Sequence, residues 1–219
     1  MISPLLANMF LHYAFDEWMV RNYPQNPFAR YADDMVVHCR TEKEAIELQE
    51  AIRERLQACK LELHPEKTKI VYCKDSNRTG SGQNEKFDFL GYTFRPRSSR
   101  NRYGKLFVNF SPAISDRAKQ KKRDEIKGWL KDVKPSQSFM EFVTLINPKV
   151  TGWINHYGKF YASELWTIMT YIDQILITWA KKKFDKLSKS WRKGVEWLLG
   201  IKKRQPKLFK HWQWLHSNG

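Results

Sequence analysis

Cysteine is scarce: 219 residues hold only Cys39, Cys59 and Cys73. Their odd number, the lack of Cys-x-x-Cys spacing and the absence of paired histidines nearby exclude a disulfide framework and a His/Cys zinc cluster, leaving reduced, packed thiols. No stretch approaches the roughly 18 apolar residues that a membrane span needs. Met1 to Val20 lacks a basic leader and carries Asp16 and Glu17, unlike a signal peptide. A cytoplasmic protein with no membrane partner is the expectation. There is no glycine-rich phosphate loop, internal repeat or low-complexity run, and no Ser/His/Asp triad can be argued from spacing. Acid is the scarcer charge, with 23 Asp+Glu against 39 Lys+Arg and a formal net charge of +16. The 42% hydrophobic content allows a real core, in one large domain or two small ones.

The positive excess is uneven. From Ser111 onward lie 22 of the 39 Lys+Arg but only 9 of the 23 Asp+Glu, and 8 of the 9 tryptophans. Basic residues interleaved with large aromatics suit a phosphate backbone, with the rings either stacking on bases or packing a helical core beneath. A basic face alone is also what a merely solvated surface shows.

The most informative stretch is Phe28-Ala29-Arg30-Tyr31-Ala32-Asp33-Asp34-Met35-Val36-Val37-His38-Cys39-Arg40. Its short β-branched and aromatic flanks predict a β-hairpin with acids at the tip. One Asp is an ordinary turn residue. Two adjacent carboxylates repel, and a hard divalent cation between them relieves the repulsion, so Asp33 and Asp34 are candidate ligands of Mg²⁺.

Around this stretch the pattern alternates between strand and helix. Ser3 as N-cap and Pro4 as first helical residue open a helix whose Leu6, Met9, Phe10 and Tyr13 recur at core spacing. Thr41-Glu42-Lys43-Glu44 reads as a capping box before a face of Ala45, Leu48, Ile52, Leu56 and Cys59. Strands are expected at Leu61–Leu63 and Lys67–Tyr72, a polar loop at Asp75–Glu85, and a strand with a central glycine over Phe87–Arg95. A hairpin then closes at Asn101–Gly104 and returns to Phe110. From Ser111 the period is helical throughout. Helices are expected near 111–130, over Ser138–Ile146 with a stop at Asn147-Pro148, from Val150 to Tyr157, and from Ser163 with Trp166, Met169, Ile172, Ile175, Leu176 and Trp179 inward. A short helix follows at Trp191–Trp197, then Lys202-Lys203-Arg204 and a Trp212-Gln213-Trp214 end.

Tyr31-Ala32-Asp33-Asp34 in a hairpin resembles the catalytic tetrapeptide of reverse transcriptases. Further segments resemble that family in order: Ile2-Ser3-Pro4-Leu5-Leu6-Ala7-Asn8, Lys67-Thr68, Phe89-Leu90-Gly91, and Asn147-Pro148 with Gly152-Trp153 and Tyr157. The last group is similar to the maturase-specific domain, so the chain resembles the reverse transcriptase/maturases encoded by group II introns. The resemblance implies an α+β fold, with a partial reverse-transcriptase palm and antiparallel sheet over 1–110 and an all-helical thumb/maturase domain over 111–219.

It also implies RNA-directed DNA polymerisation and intron RNA splicing. In that reading Asp33 and Asp34 are two palm aspartates of a two-metal Mg²⁺ site. Tyr31 lies beside the primer end or incoming nucleotide, Lys67 near the nucleotide phosphates, and Leu90 and Gly91 in a hairpin that grips the primer. Without the resemblance, Lys67 would be read as a strand-end lysine, and Trp153 and Tyr157 read better as core than as base-stacking residues. Gly152 would allow close helix packing.

Arg117, Lys119, Lys121, Lys122, Arg123, Lys127 and Lys181–Lys183 are the candidate RNA contacts. Partners implied are intron RNA, an RNA template with a DNA primer, and a separate fingers fragment, since the segment that starts the family's site and its first palm aspartate lie upstream of Ile2 and the endonuclease domain downstream is also missing. The expectation is a metal site incomplete in this chain, RNA binding retained and little polymerase activity alone. A non-catalytic splicing factor and a decayed mobile-element remnant are the alternatives.

Overall fold

The computed structural model describes residues 4–78, 80–132 and 138–217. The expected Ser3 cap and Ile2 lie outside them. The fold is α+β, with two small antiparallel sheets and predominantly helical structure. The chain divides into two compact units, one of Met1–Leu90 with Arg95–Phe110 and one of Gly91–Phe94 with Ser111–Gly219.

In the first unit, α1 (Pro4–Leu11), a π-helical turn (His12–Asp16) and α2 (Glu17–Asn22) run on without a break. The hairpin follows as β1 (Phe28–Tyr31) and β2 (Asp34–Val37), paired Phe28↔Val37 through Tyr31↔Asp34. Then comes α3 (Glu42–Ala58), whose N-cap Thr41 Oγ1 accepts from Glu44 N at 3.1 Å. Leu48, Ile52 and Leu56 of α3 pack with Phe15 and Met19, and with the partly buried Phe28, Met35 and Val37. Removing such apolar surface from water holds the hairpin down on the helices.

Three expectations fail here. Leu6, Met9, Phe10 and Tyr13 are exposed and line an open groove of about 370 Å³ with Ala14 and Cys59. Periodicity found an apolar face, but the core of this unit is built one turn later, by Ala14, Phe15 and Met19. The strands expected at Leu61–Leu63 and Lys67–Tyr72 do not form; Leu61 and Leu63 contribute side chains to the core from irregular backbone. Lastly, Gly91 is not inside a strand. β3 (Phe87–Phe89) and β4 (Tyr92–Arg100) are joined at Leu90-Gly91, whose φ values are 51° and 81°. β5 (Leu106–Ile114) completes the order β3-β4-β5, after a turn in which Gly104 has φ 80°.

The second unit is helical: α4 (Asp116–Asp132), α5 (Phe139–Tyr157), α6 (Ser163–Lys183), α7 (Asp185–Ser188), α8 (Trp191–Arg204) and α9 (Lys210–Ser217). α6 is central, burying Leu165, Ile168, Met169, Ile172, Ile175, Leu176, Ile177, Trp179 and Ala180. Leu165 takes the inward place expected of Trp166, which is half-buried. Phe139 packs on Trp179, Trp197 and Phe209.

The expected stop at Asn147-Pro148 does not occur. Helix α5 starts from a Ser138/Glu141 capping box and passes through Pro148 to Tyr157. Pro148 lacks the N–H that would bond the Thr144 carbonyl. Packing of Phe142, Val143, Ile146, Val150 and Trp153 in the core outweighs that loss. Asn147 compensates differently: its Nδ2 donates to Leu208 O at 3.0 Å, and its Oδ1 accepts from Lys210 N at 3.0 Å, tying α5 to the start of α9. Gly152 does not mediate close packing, because a Cβ there would meet nothing within 4 Å.

His211 is fully buried, with Nε2 2.8 Å from Asp173 Oδ1, which also accepts from Trp212 Nε1 at 2.7 Å. Its Nδ1 is buried with no partner among the described residues. Burial pushes the imidazole below its usual range, more than Asp173 raises it. Burial also pushes Asp173 up, but the bonds from His211 and Trp212 and the nearby Lys202 bring it below the ordinary carboxylate range. A neutral His211 donating from Nε2 to ionised Asp173 satisfies both.

Two outcomes are expected. Asn147→Ala removes two bonds to backbone and should lower the unfolding free energy by about 1–3 kcal/mol in urea titrations. Because His211 has a depressed folded pKa, its stability contribution is present above the unfolded value of about 6.5 and lost as pH falls below it. The melting temperature should drop between pH 7 and 5, and less so in His211→Gln.

Candidate active site and basic face

Alternation along β1 turns Phe28 and Arg30 inward and Ala29 and Tyr31 outward. The chain reverses at Ala32-Asp33, between the paired Tyr31 and Asp34. Ala32 has φ 53°, a left-handed conformation that costs a residue with a Cβ about 1–2 kcal/mol. Tyr31, Asp33 and Asp34 are all exposed. Neither aspartate makes a side-chain hydrogen bond or ion pair among the described residues.

Both ends of the hairpin are anchored. At its base the buried Asn26 Nδ2 donates to His38 O (3.1 Å) and Glu44 Oε1 (2.7 Å), while His38 N donates to Pro27 O at 2.9 Å. At its tip the Arg30 guanidinium is shared. Nε and Nη2 donate to Asp16 Oδ1 and Oδ2 at 2.7 and 2.6 Å, and Nη1 donates to Asn8 Oδ1 at 3.0 Å and to Ala32 O at 2.9 Å. The bond from Arg30 holds the Asp16 carboxyl below the ordinary carboxylate range, with His12 adding to the effect against the cost of burial. Sequence reasoning gave Arg30, Asp16 and Asn8 no role at the hairpin. The available signal was the inward position of Arg30 in an otherwise apolar β1 face, which required an acid somewhere opposite.

The donor chemistry at the tip fits a hard cation. Mg²⁺ is commonly held by one or two carboxylates, with phosphate oxygens and water completing its octahedron. Two adjacent unbonded carboxylates on an exposed turn meet that description in part. No group of three or more His, Cys, Asp or Glu side chains that could hold a metal occurs among the described residues.

Other expected site residues lie elsewhere. Lys67 is exposed in a turn after His64, and no bond joins its side chain to the aspartate hairpin among the described residues. Leu90 and Gly91 form the separate turn between β3 and β4. A Cβ on Gly91 would come within 2.8 Å of Tyr157 Oη, so this glycine is required by space as well as by φ. Tyr92 Oη donates to His156 O, and its ring packs on Tyr157 at 5.3 Å.

Candidate RNA contacts on α4 separate into two sets. Lys119 Nζ is held by Asp116 (2.8 Å) and Glu164 (2.9 Å). Lys122 pairs with Glu125 at 3.3 Å and lies over the Trp153 ring at 4.8 Å. Trp153 stacks on Trp129 at 5.7 Å, Lys149 lies over Trp129 at 5.6 Å, and Lys149 reaches the same Glu125 at 3.8 Å. These ammoniums cap core indoles. By contrast Arg117, Lys121, Arg123 and Lys127 carry no side-chain bond or ion pair among the described residues. Arg117, Lys121 and Lys127 are exposed on the side of α4 away from the buried Ala118, Ile126 and Trp129, and Arg123 is half-buried at its margin. At the end of α6, Lys181 and Lys183 lie over Trp191 and Trp179, and Lys182 is exposed.

No helix among the described residues is long and apolar enough to cross a membrane. No curated protein matches the chain significantly. Two family models do match: residues 1–94 fit the reverse transcriptase (RNA-dependent DNA polymerase) family, and residues 119–197 fit the group II intron maturase-specific domain. The aspartate hairpin falls in the first and the indole-lysine stack in the second, and a chain carrying both in this order belongs to the group II intron-encoded reverse transcriptase/maturases.

Proposed function

We propose that the chain's own retained activity is binding of group II intron RNA through the outward arc of α4, and that the aspartate hairpin contributes two carboxylates to the family's polymerase centre. The observation that carries the RNA reading is the set of cations Arg117, Lys121, Arg123 and Lys127, unpaired among the described residues, beside neighbours already neutralised by acids or indoles. Phosphate contacts of this kind release counterions and supply most of the affinity. Lys182 extends the free positive charge, while Lys119, Lys122, Lys181 and Lys183 contribute field from fixed positions. Residues 1–110 would then serve as palm and 111–219 as thumb and maturase domain.

At the hairpin, magnesium would supply charge stabilisation for a transferring phosphoryl group with an RNA template and DNA primer. Asp33 and Asp34 would hold it. Tyr31, exposed beside them, would contact the primer end or nucleotide; Lys67 would neutralise nucleotide phosphates; the Leu90-Gly91 turn would bear on the primer. Two carboxylates leave unmet the positioning and electrostatic demands of phosphoryl transfer, so polymerisation by this chain alone is expected to be slight.

Filter binding to intron RNA at several salt concentrations tests the RNA reading. Replacing Arg117, Lys121, Arg123 and Lys127 with Gln should weaken binding and flatten the log K against log salt slope by roughly 0.7–0.9 for each phosphate that is no longer neutralised. Unchanged affinity would refute the assignment. Asp33→Asn should leave RNA affinity intact. In primer extension with Mg²⁺ the chain should show little synthesis, and robust synthesis abolished by Asp33→Asn would overturn the view that RNA binding is its main activity.

A further inference from the structure

We propose that Arg30 is a positioning residue for the aspartate hairpin: gripped by Asp16 and Asn8, its guanidinium holds the Ala32 carbonyl and thereby sets where Asp33 and Asp34 present their carboxylates to divalent cations. The inference rests on the reading of those aspartates as cation ligands.

The hairpin needs such a device. Two strands of four residues are marginal as an isolated pair. The turn between them places Ala32, which has a Cβ, at φ 53°, a conformation that persists only when the surroundings over-determine it. Asn26 fixes the base of the hairpin, and Arg30 fixes its tip. The Arg30 side chain is only 11% exposed, and one planar fork engages a carboxylate, an amide oxygen and a turn carbonyl at 2.6–3.0 Å.

Lysine cannot substitute: a compact ammonium can pair with Asp16 but cannot also span Asn8 and Ala32 in one plane. The acid is itself delivered by the π-helical turn, where Glu17 N bonds His12 O and the helix widens just before β1 needs a partner. Turns of this kind recur at functional sites because they redirect a side chain without ending the helix. An ion pair serving stability alone would have no need to reach the carbonyl immediately before Asp33.

The test compares the full chain with Arg30→Lys and Asn8→Ala by three readouts: melting temperature, the Ala32 backbone angle from NMR couplings and ¹³C shifts, and Mn²⁺ affinity from paramagnetic broadening of the Asp33 and Asp34 amides. Arg30→Lys should retain most of the melting temperature, release Ala32 from positive φ, and weaken Mn²⁺ about tenfold, the equivalent of one charge-assisted hydrogen bond. Asn8→Ala should move both site readouts the same way by less, and carries the test if Arg30→Lys fails to fold. Variants that fold with the Ala32 angle and Mn²⁺ affinity unchanged overturn the proposal. Failure of the wild-type chain to bind Mn²⁺ in a manner abolished by Asp33→Asn overturns the cation-ligand reading instead, and the Ala32 angle then decides the hold of Arg30 on the turn by itself.

Discussion

Strand alternation over four residues governs the first unit. Because Phe28 and Arg30 face the helices, Tyr31 and the aspartate turn must face away, and the same two inward side chains fasten the strand. Phe28 does so by burial against Phe15, with rings at 5.3 Å in an edge-on arrangement. Arg30 does so by charge and direction. A slip of one residue would bury Tyr31 and Ala29 and expose both fasteners, so the register that presents the carboxylates is also the register that the core tolerates. The acids remain exposed and unbonded because nothing in the packing asks for them.

The second unit follows a different logic, in which aromatic side chains serve both core and surface. Trp129, Trp153, Trp179 and Trp212 are buried, yet each has a lysine ammonium within 6 Å of its ring. Indole faces attract cations most strongly among the aromatic rings, and partial desolvation strengthens the attraction. The high lysine content of this half is therefore divided between cations that finish the core and cations that remain free in solvent. Among the described residues, α4 carries four cations of the free kind, Arg117, Lys121, Arg123 and Lys127.

How much of this was readable from sequence depends on whether the signal was local. The aspartate hairpin, helix α3 and the β4–β5 hairpin declared themselves through period and turn chemistry confined to a few residues. Asn147-Pro148 misled because proline is a local signal and the core that overrides it is not; Asn147 is explained only by a loop some sixty residues away. Leu6, Met9, Phe10 and Tyr13 misled in the opposite sense, since periodicity reveals an apolar face without saying what covers it. At the candidate site the acids could be read, but the guanidinium behind them could not be, because Arg30 and Asp16 are fourteen residues apart and meet only once the π-helical turn has aimed the carboxylate. Which lysines are free was likewise hidden, since Lys121 and Lys122 differ only in where the helix faces.

The indole-lysine stack of α4 and α5 has a consequence for any alanine scan of this protein's positive charge. Truncating Lys122 or Lys149 strips a lid from a buried ring and removes one of the two ammoniums that share Glu125, so weaker RNA affinity at either position would first report damage to the scaffold. Truncating Lys121, the immediate neighbour of Lys122 in sequence, removes charge and nothing else. Charge counts by segment would treat the three as equivalent, whereas the fold makes two of them architecture and leaves the third to the solvent.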